Sequence, residues 1–154
     1  MNVFFEFHRI LRELQRVKTP YALIGGVAMA YYADARFTKD IDLLVKPEDF
    51  EAIKAILGPL NYRETASPWR FASGMILHRF LKVEDGDEML VDVLVADTEE
   101  HRAVVDRARI AGSEKLGEVR VASRADMIWL KEQRKSPIDQ QDLQKLREGS
   151  DVPN

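Results

Sequence analysis

The 154 residues include no cysteine, which rules out disulfides and any thiolate zinc site. No apolar run approaches the roughly 20 residues needed to span a bilayer. The start, Met1-Asn2-Val3-Phe4-Phe5-Glu6, lacks the basic head and apolar core of a secretory signal, so the simplest reading is a cytoplasmic protein with no membrane partner. There is no excess of basic charge. A net charge of −3 argues against a general nucleic-acid binder, which would usually be basic. The three histidines, His8, His78 and His101, show no metal-ligand spacing, and no Ser-His-Asp arrangement is visible, so nucleophilic hydrolysis has no support. Internal repeats, low-complexity tracts and linkers are also missing.

What is present is an ordinary globular composition, 45% apolar and 32% charged, which fits one domain over residues 1–154. Apolar residues at helical spacing (Phe4, Phe7, Ile10, Leu14) predict a helix over 2–17. Tyr21 to Ile24 reads as a short buried strand. Gly25-Gly26 breaks it, and an Ala-rich helix follows from Val27 to Ala33. Lys39 to Val45 reads as a second strand, and Pro47 opens a helix running to about Leu57. Strands are expected at Ile76–Val83 and Met89–Val95, joined by a hairpin turn over Glu84–Glu88, with a weak one at Arg70–Ala72. Thr98 and Ser123 look like N-caps, of helices reaching about Arg107 and Arg134, and a strand lies between them at 116–122. A last helix starts at Pro137 and ends near Arg147. The order is α+β, with a short mixed sheet flanked by helices.

Chemistry concentrates in Lys39-Asp40-Ile41-Asp42-Leu43-Leu44-Val45. In a strand alternate side chains share a face, so Asp40 and Asp42 lie side by side while Ile41 and Leu43 turn to the core. Adjacent carboxylates repel each other and resist burial, and a bound cation relieves both. Mg2+ takes oxygen ligands of this kind together with phosphate. A third acid, Asp92, interrupts the apolar run Leu90-Val91-Asp92-Val93-Leu94-Val95 and calls for a partner or a function. If the two strands are neighbours, three carboxylates can hold cations for phosphoryl transfer. The plain alternative is an exposed position on an alternating edge strand.

Gly25-Gly26 lies between a strand and a helix, where glycine permits a sharp turn and close approach to a ligand. Arg36 could grip a phosphate with its planar fork, and the Thr38 hydroxyl could bond a phosphate or order the loop. Read together, Gly25-Gly26-Val27-Ala28, Arg36, Thr38, Asp40, Asp42 and the later Asp92 resemble the nucleotidyltransferase superfamily, with its polymerase-beta-like fold. The resemblance covers about residues 20–95. Many members carry Ser directly after the glycine pair, where this chain has Val27.

The C-terminal helices, about 123–147, resemble the AbiEii/MNT-type members: Ser123 to Lys131, then Arg134, then Asp139-Gln140-Gln141-Asp142. The resemblance implies transfer of a nucleoside monophosphate from a nucleoside triphosphate such as ATP to an acceptor hydroxyl. Asp40, Asp42 and Asp92 would be the catalytic and metal-binding residues, holding Mg2+ or Mn2+. Gly25, Gly26, Arg36, Thr38 and Lys131 would bind the nucleotide. A toxin-like acceptor (tRNA or protein) with an antitoxin partner is the expected setting. An antibiotic-modifying enzyme and an inactive binding module are the alternatives. Asp139 and Asp142, on one helix face, could order Lys131 or Arg134 by ion pairing. Of the other basic residues between 102 and 135, most read as solvated helix faces. Trp129 reads as core. Trp69 and Arg70, after Pro68, read as a loop anchor, with base stacking the alternative.

Overall fold

A computed structural model describes residues 1–33, 38–113, 117–134 and 136–152. Arg36 lies outside these. Helix α1 (Val3–Val17) is capped by Asn2, whose side chain accepts from the Phe4 and Phe5 amides. It buries Phe7, Ile10, Leu11 and Leu14, each worth roughly 1.5–3 kcal/mol of burial. Strand β1 (Ala22–Ile24) runs straight into helix α2 (Gly25–Met29). That helix starts two residues earlier and ends earlier than the Ala-rich composition implied, with Ala30 to Tyr32 following as turns. Strand β2 (Asp40–Val45) follows, then a single 3-10 turn at Pro47–Asp49 and helix α3 (Phe50–Leu57).

Two very short strands, β3 (Arg63–Glu64) and β4 (Trp69–Arg70), precede the long hairpin of β5 (Ile76–Glu84) and β6 (Asp87–Val95). The turn is tighter than expected. Only Asp85 and Gly86 lie outside the strands, both at positive φ, as a type I′ turn requires. Helix α4 (Glu99–Asp106), strands β7 (Arg109–Ser113) and β8 (Gly117–Val121), and helices α5 (Arg124–Glu132) and α6 (Pro137–Glu148) complete the described chain. Thr98, Ser123 and Ser136 each accept from the amide three residues on, so all three cap helices. Strand β7 was not expected: its five residues include Arg109 and Gly112, and Ile110 is exposed, the pattern of an edge strand.

The strands form one mixed sheet in the order β3-β5-β6-β2-β1-β8-β7, with β4 on the outside of β5. β2 runs parallel to β6, and β1 runs antiparallel to β2. Two acidic strands and the glycine turn are therefore immediate neighbours. Among the described residues no helix is long and apolar enough to cross a membrane.

Candidate functional site

Register decides what the carboxylates can do together. Asp42 stands directly opposite Asp92 in the parallel pair of β2 and β6, and opposite Ile24 in the antiparallel pair with β1. Side chains opposite one another project from the same face. Asp40, two residues before Asp42, shares that face and is half-buried. Ile41 and Leu43 are fully buried.

Gly25 closes the site from the β1 side. Its φ is +73°, and a Cβ built on it would lie 2.0 Å from Asp42 Oδ2, so only glycine permits this approach. Gly26 and Val27 are buried within α2. Val27 packs in the core, which explains an apolar residue where many members of the superfamily carry serine. Thr38 is occupied locally: its hydroxyl accepts from the Asp40 amide at 3.3 Å and lies 3.4 Å from the Asp40 carbonyl.

A cleft of about 420 Å³ opens over this face. Gly25, Asp42 and Asp92 line it together with Lys131, in the last turn of α5, and Arg134, just beyond that helix. Lys131 is only 5% exposed, and its ammonium lies 3.0 Å from Asp142 and 3.3 Å from Asp139, both buried in α6. Arg134 approaches Asp139 at 3.5 Å. Burial pushes the Asp139 carboxyl up, but the Ser136 hydroxyl, Arg134 and Lys131 outweigh it and hold it below the usual range. The ion pairing expected between Asp139-x-x-Asp142 and Lys131 or Arg134 is thus present. Other basic residues of this half of the chain are spent elsewhere: Arg102 on Glu48, Arg107 on Asp126, Arg120 on the Tyr21 carbonyl.

The electrostatics are lopsided. Burial, and then the negative charges of Asp92 and Asp40, push Asp42 up to about 7, against the pull of Arg134 and Lys131. Such a carboxyl is short of positive charge. One residue not singled out in the sequence answers part of this need. Arg79 on β5 faces Asp92, and its Nε and Nη2 donate to the two carboxylate oxygens, each at 2.9 Å. That fork occupies both oxygens of Asp92, and among the described residues no group of three acidic or histidine side chains is arranged to hold a metal ion. The donor set nevertheless fits a hard divalent cation. It offers oxygen ligands only, Asp42 is held in a cradle that a Cβ at position 25 would fill, and its raised pKa marks unbalanced negative charge.

Over residues 1–148 the chain matches the family described as uncharacterised nucleotidyltransferase. No curated protein matches it. Among solved structures, the lincosamide antibiotic adenylyltransferase LnuA bound to lincomycin superposes with a TM-score of 0.64 at 14% identity, covering 93% of this chain and 95% of that one. The antibiotic-resistance factor ANT(2'')-Ia in solution gives 0.60 at 20% identity, covering 93% and 80%. A candidate nucleotidyltransferase from Thermotoga maritima gives 0.59 at 15% identity, covering 92% and 88%. At these identities the structural likenesses establish the fold, a mixed sheet flanked by helices.

Proposed function

We propose, for a chain that belongs to the uncharacterised nucleotidyltransferase family and is therefore a transferase, that the cleft moves a nucleoside monophosphate from a nucleoside triphosphate to an acceptor hydroxyl. The observation that carries this reading is the placement of Asp42 opposite Asp92 beside the Gly25 turn, in a cleft that Lys131 and Arg134 also line.

Asp40 and Asp42 would hold Mg2+ or Mn2+, with Asp92 joining once Arg79 lets go. When bound, the cation draws off charge from the transferred phosphoryl group and the leaving oxygen. Gly25 leaves room for a phosphate to approach the backbone. Lys131 and Arg134 offset the charge on the departing pyrophosphate, and Asp139 and Asp142 hold Lys131 in place. The acceptor oxygen forms a bond to the α-phosphorus as the bond from that phosphorus to the bridging oxygen breaks. Pyrophosphate leaves with the electron pair, and the hydroxyl proton passes to Asp92.

The acceptor classes expected from sequence were a tRNA or protein in a toxin-antitoxin setting, or an antibiotic-like small molecule. A cleft of about 420 Å³ lies in the range of small-molecule sites, and the net charge of −3 is unfavourable to RNA, so the small acceptor is preferred.

The direct test is thermal unfolding with ATP, GTP, CTP and UTP, each with and without Mg2+. A nucleotide at 100 times its Kd adds about 2.7 kcal/mol to stability. A Mg2+-dependent rise in Tm with at least one nucleotide, lost in Asp42→Ala, is the expected result. No rise with any of the four would reject the donor site.

A further inference from the structure

The cleft has a second end that the phosphate chemistry does not use. Beyond Asp92 and Arg79 its lining turns apolar, with Leu77, Leu94, Met75 and Phe71. The rim there is β4 with the turn that follows it. Trp69 pairs with Leu77, and Leu77 pairs with Leu94, so register places Trp69 on the face that carries Asp92 and Arg79. Trp69 is nevertheless 65% exposed, and Phe71, which lines the cleft, is 36% exposed. Two large aromatic rings left uncovered at the mouth of a cleft are unusual for groups that bury so much area when they pack.

The rim is fixed, not loose. The Phe71 amide donates to the Met75 carbonyl at 2.9 Å and the Gly74 amide to the Phe71 carbonyl at 3.0 Å. Arg70, on the opposite face, holds Asp97 at 2.9 Å. The backbone that carries both rings is therefore held in place.

Strand order says what they face. From the Gly25 turn the floor runs β1, β2, β6, β5 and then β4. If pyrophosphate departs at the Gly25 and Lys131 end, in-line displacement puts the attacking hydroxyl at the Asp92 end, and the rest of the acceptor over β5 and β4. This step rests on the nucleotidyl-transfer reading above. The charge at that end is balanced: the Arg79 fork takes the Asp92 carboxylate, and the lining beyond the pair is largely apolar.

We propose that Trp69 and Phe71 form the acceptor half of the site, and that the acceptor is a neutral hydroxyl compound with a flat apolar face. The ring stacks on the aromatic rim while its hydroxyl reaches Asp92.

The test uses the protein with Mg2+ and the α,β-methylene analogue of each of the four nucleoside triphosphates, which bind without reacting, and continues with the one that raises the Tm most. 4-Nitrophenyl β-glucoside, neutral, flat at one end and rich in hydroxyls, is the probe, and neomycin is the polycationic control. Saturation-transfer NMR should mark the aryl protons above the sugar protons. The apparent Kd should rise about tenfold in Trp69→Ala and return towards the wild-type value in Trp69→Phe. The exposed position makes these substitutions mild, and an unchanged Tm rise with the analogue shows that the variants are folded. Absence of aryl saturation in the wild type, an unchanged Kd in Trp69→Ala, or tighter binding of neomycin overturns the proposal. Loss of the analogue's own binding in Trp69→Ala also overturns it, by giving the rim to the nucleotide. Failure of all four analogues to bind the wild type instead strikes the transfer reading itself.

Discussion

Replacing Asp42 with asparagine should stabilise the ligand-free protein, and increasingly so as the pH rises. The ordinary carboxyl value of 3.8 applies in the unfolded chain, and the folded protein raises it to about 7. Between those values the native state holds a proton that the unfolded state has released. Stability therefore falls as pH climbs through this window and levels off above it. A shift of about three units corresponds to about 4 kcal/mol over the whole window, of which roughly 2–3 kcal/mol falls between pH 5 and pH 8. Asp42 keeps some surface open to the cleft, and water there screens part of the cost. An expected span of about 1–3 kcal/mol follows. Asparagine cannot ionise, so the variant should gain on the wild type by that amount from about pH 5 to about pH 8. The assay is urea unfolding in EDTA at the two pH values, followed by far-UV circular dichroism. Saturating Mg2+ at the higher pH should narrow the gap, since it stabilises only the carboxylate form. A difference between variant and wild type that stays the same at both pH values would refute the reasoning, because it would mean that Asp42 is not held uncharged by its surroundings.

Gly25→Ala should lower stability by roughly 1–2 kcal/mol through its positive φ alone, and should also abolish the nucleotide-induced Tm rise, because the new methyl displaces Asp42. An intact rise would show that the close approach is dispensable. Arg79→Met should free both oxygens of Asp92 and tighten Mg2+ binding about tenfold in the absence of nucleotide, measured by thermal shift against Mg2+ concentration; weaker binding would instead make Arg79 an ally of the metal. Lys131→Met should destabilise by up to about 3–5 kcal/mol, since it removes the ammonium shared by the buried Asp139 and Asp142 carboxylates, although Arg134 and Ser136 still hold Asp139. Adding Asp142→Asn to that variant should recover part of the loss in the same denaturation experiment.

The acidic strand and the glycine pair were legible because each violates a local rule. A carboxylate inside an apolar run such as Leu90 to Val95, or a Gly-Gly between strand and helix, stands out against period and propensity. Helix caps were legible for a similar reason, since Thr98 and Ser123 carry their hydrogen bonds within four residues. Strand β7 was not, because its inward-facing residues are Arg109 and the small Ala111 while the apolar Ile110 is exposed, which inverts the usual alternation. Trp69 defeated sequence reasoning in another way: an aromatic residue after Pro68 reads the same whether it is covered or left bare, and only the packing decides.

Arg79 marks the boundary between these cases, and it was recoverable in principle. The hairpin turn read from sequence spanned Glu84 to Glu88, which leaves the pairing of β5 with β6 undefined. The two-residue turn Asp85-Gly86 defines it, because Glu84 must then face Asp87, and counting back along both strands sets Arg79 opposite Asp92. Asp-Gly between two alternating strands is itself a strong signal for that turn. A one-residue error in the loop would have turned Arg79 to the opposite face and left Asp92 without its partner. The charge balance of the site thus depends on a turn six residues away from each partner. The two-residue loop ties the Arg79 fork on Asp92 to the register of one hairpin.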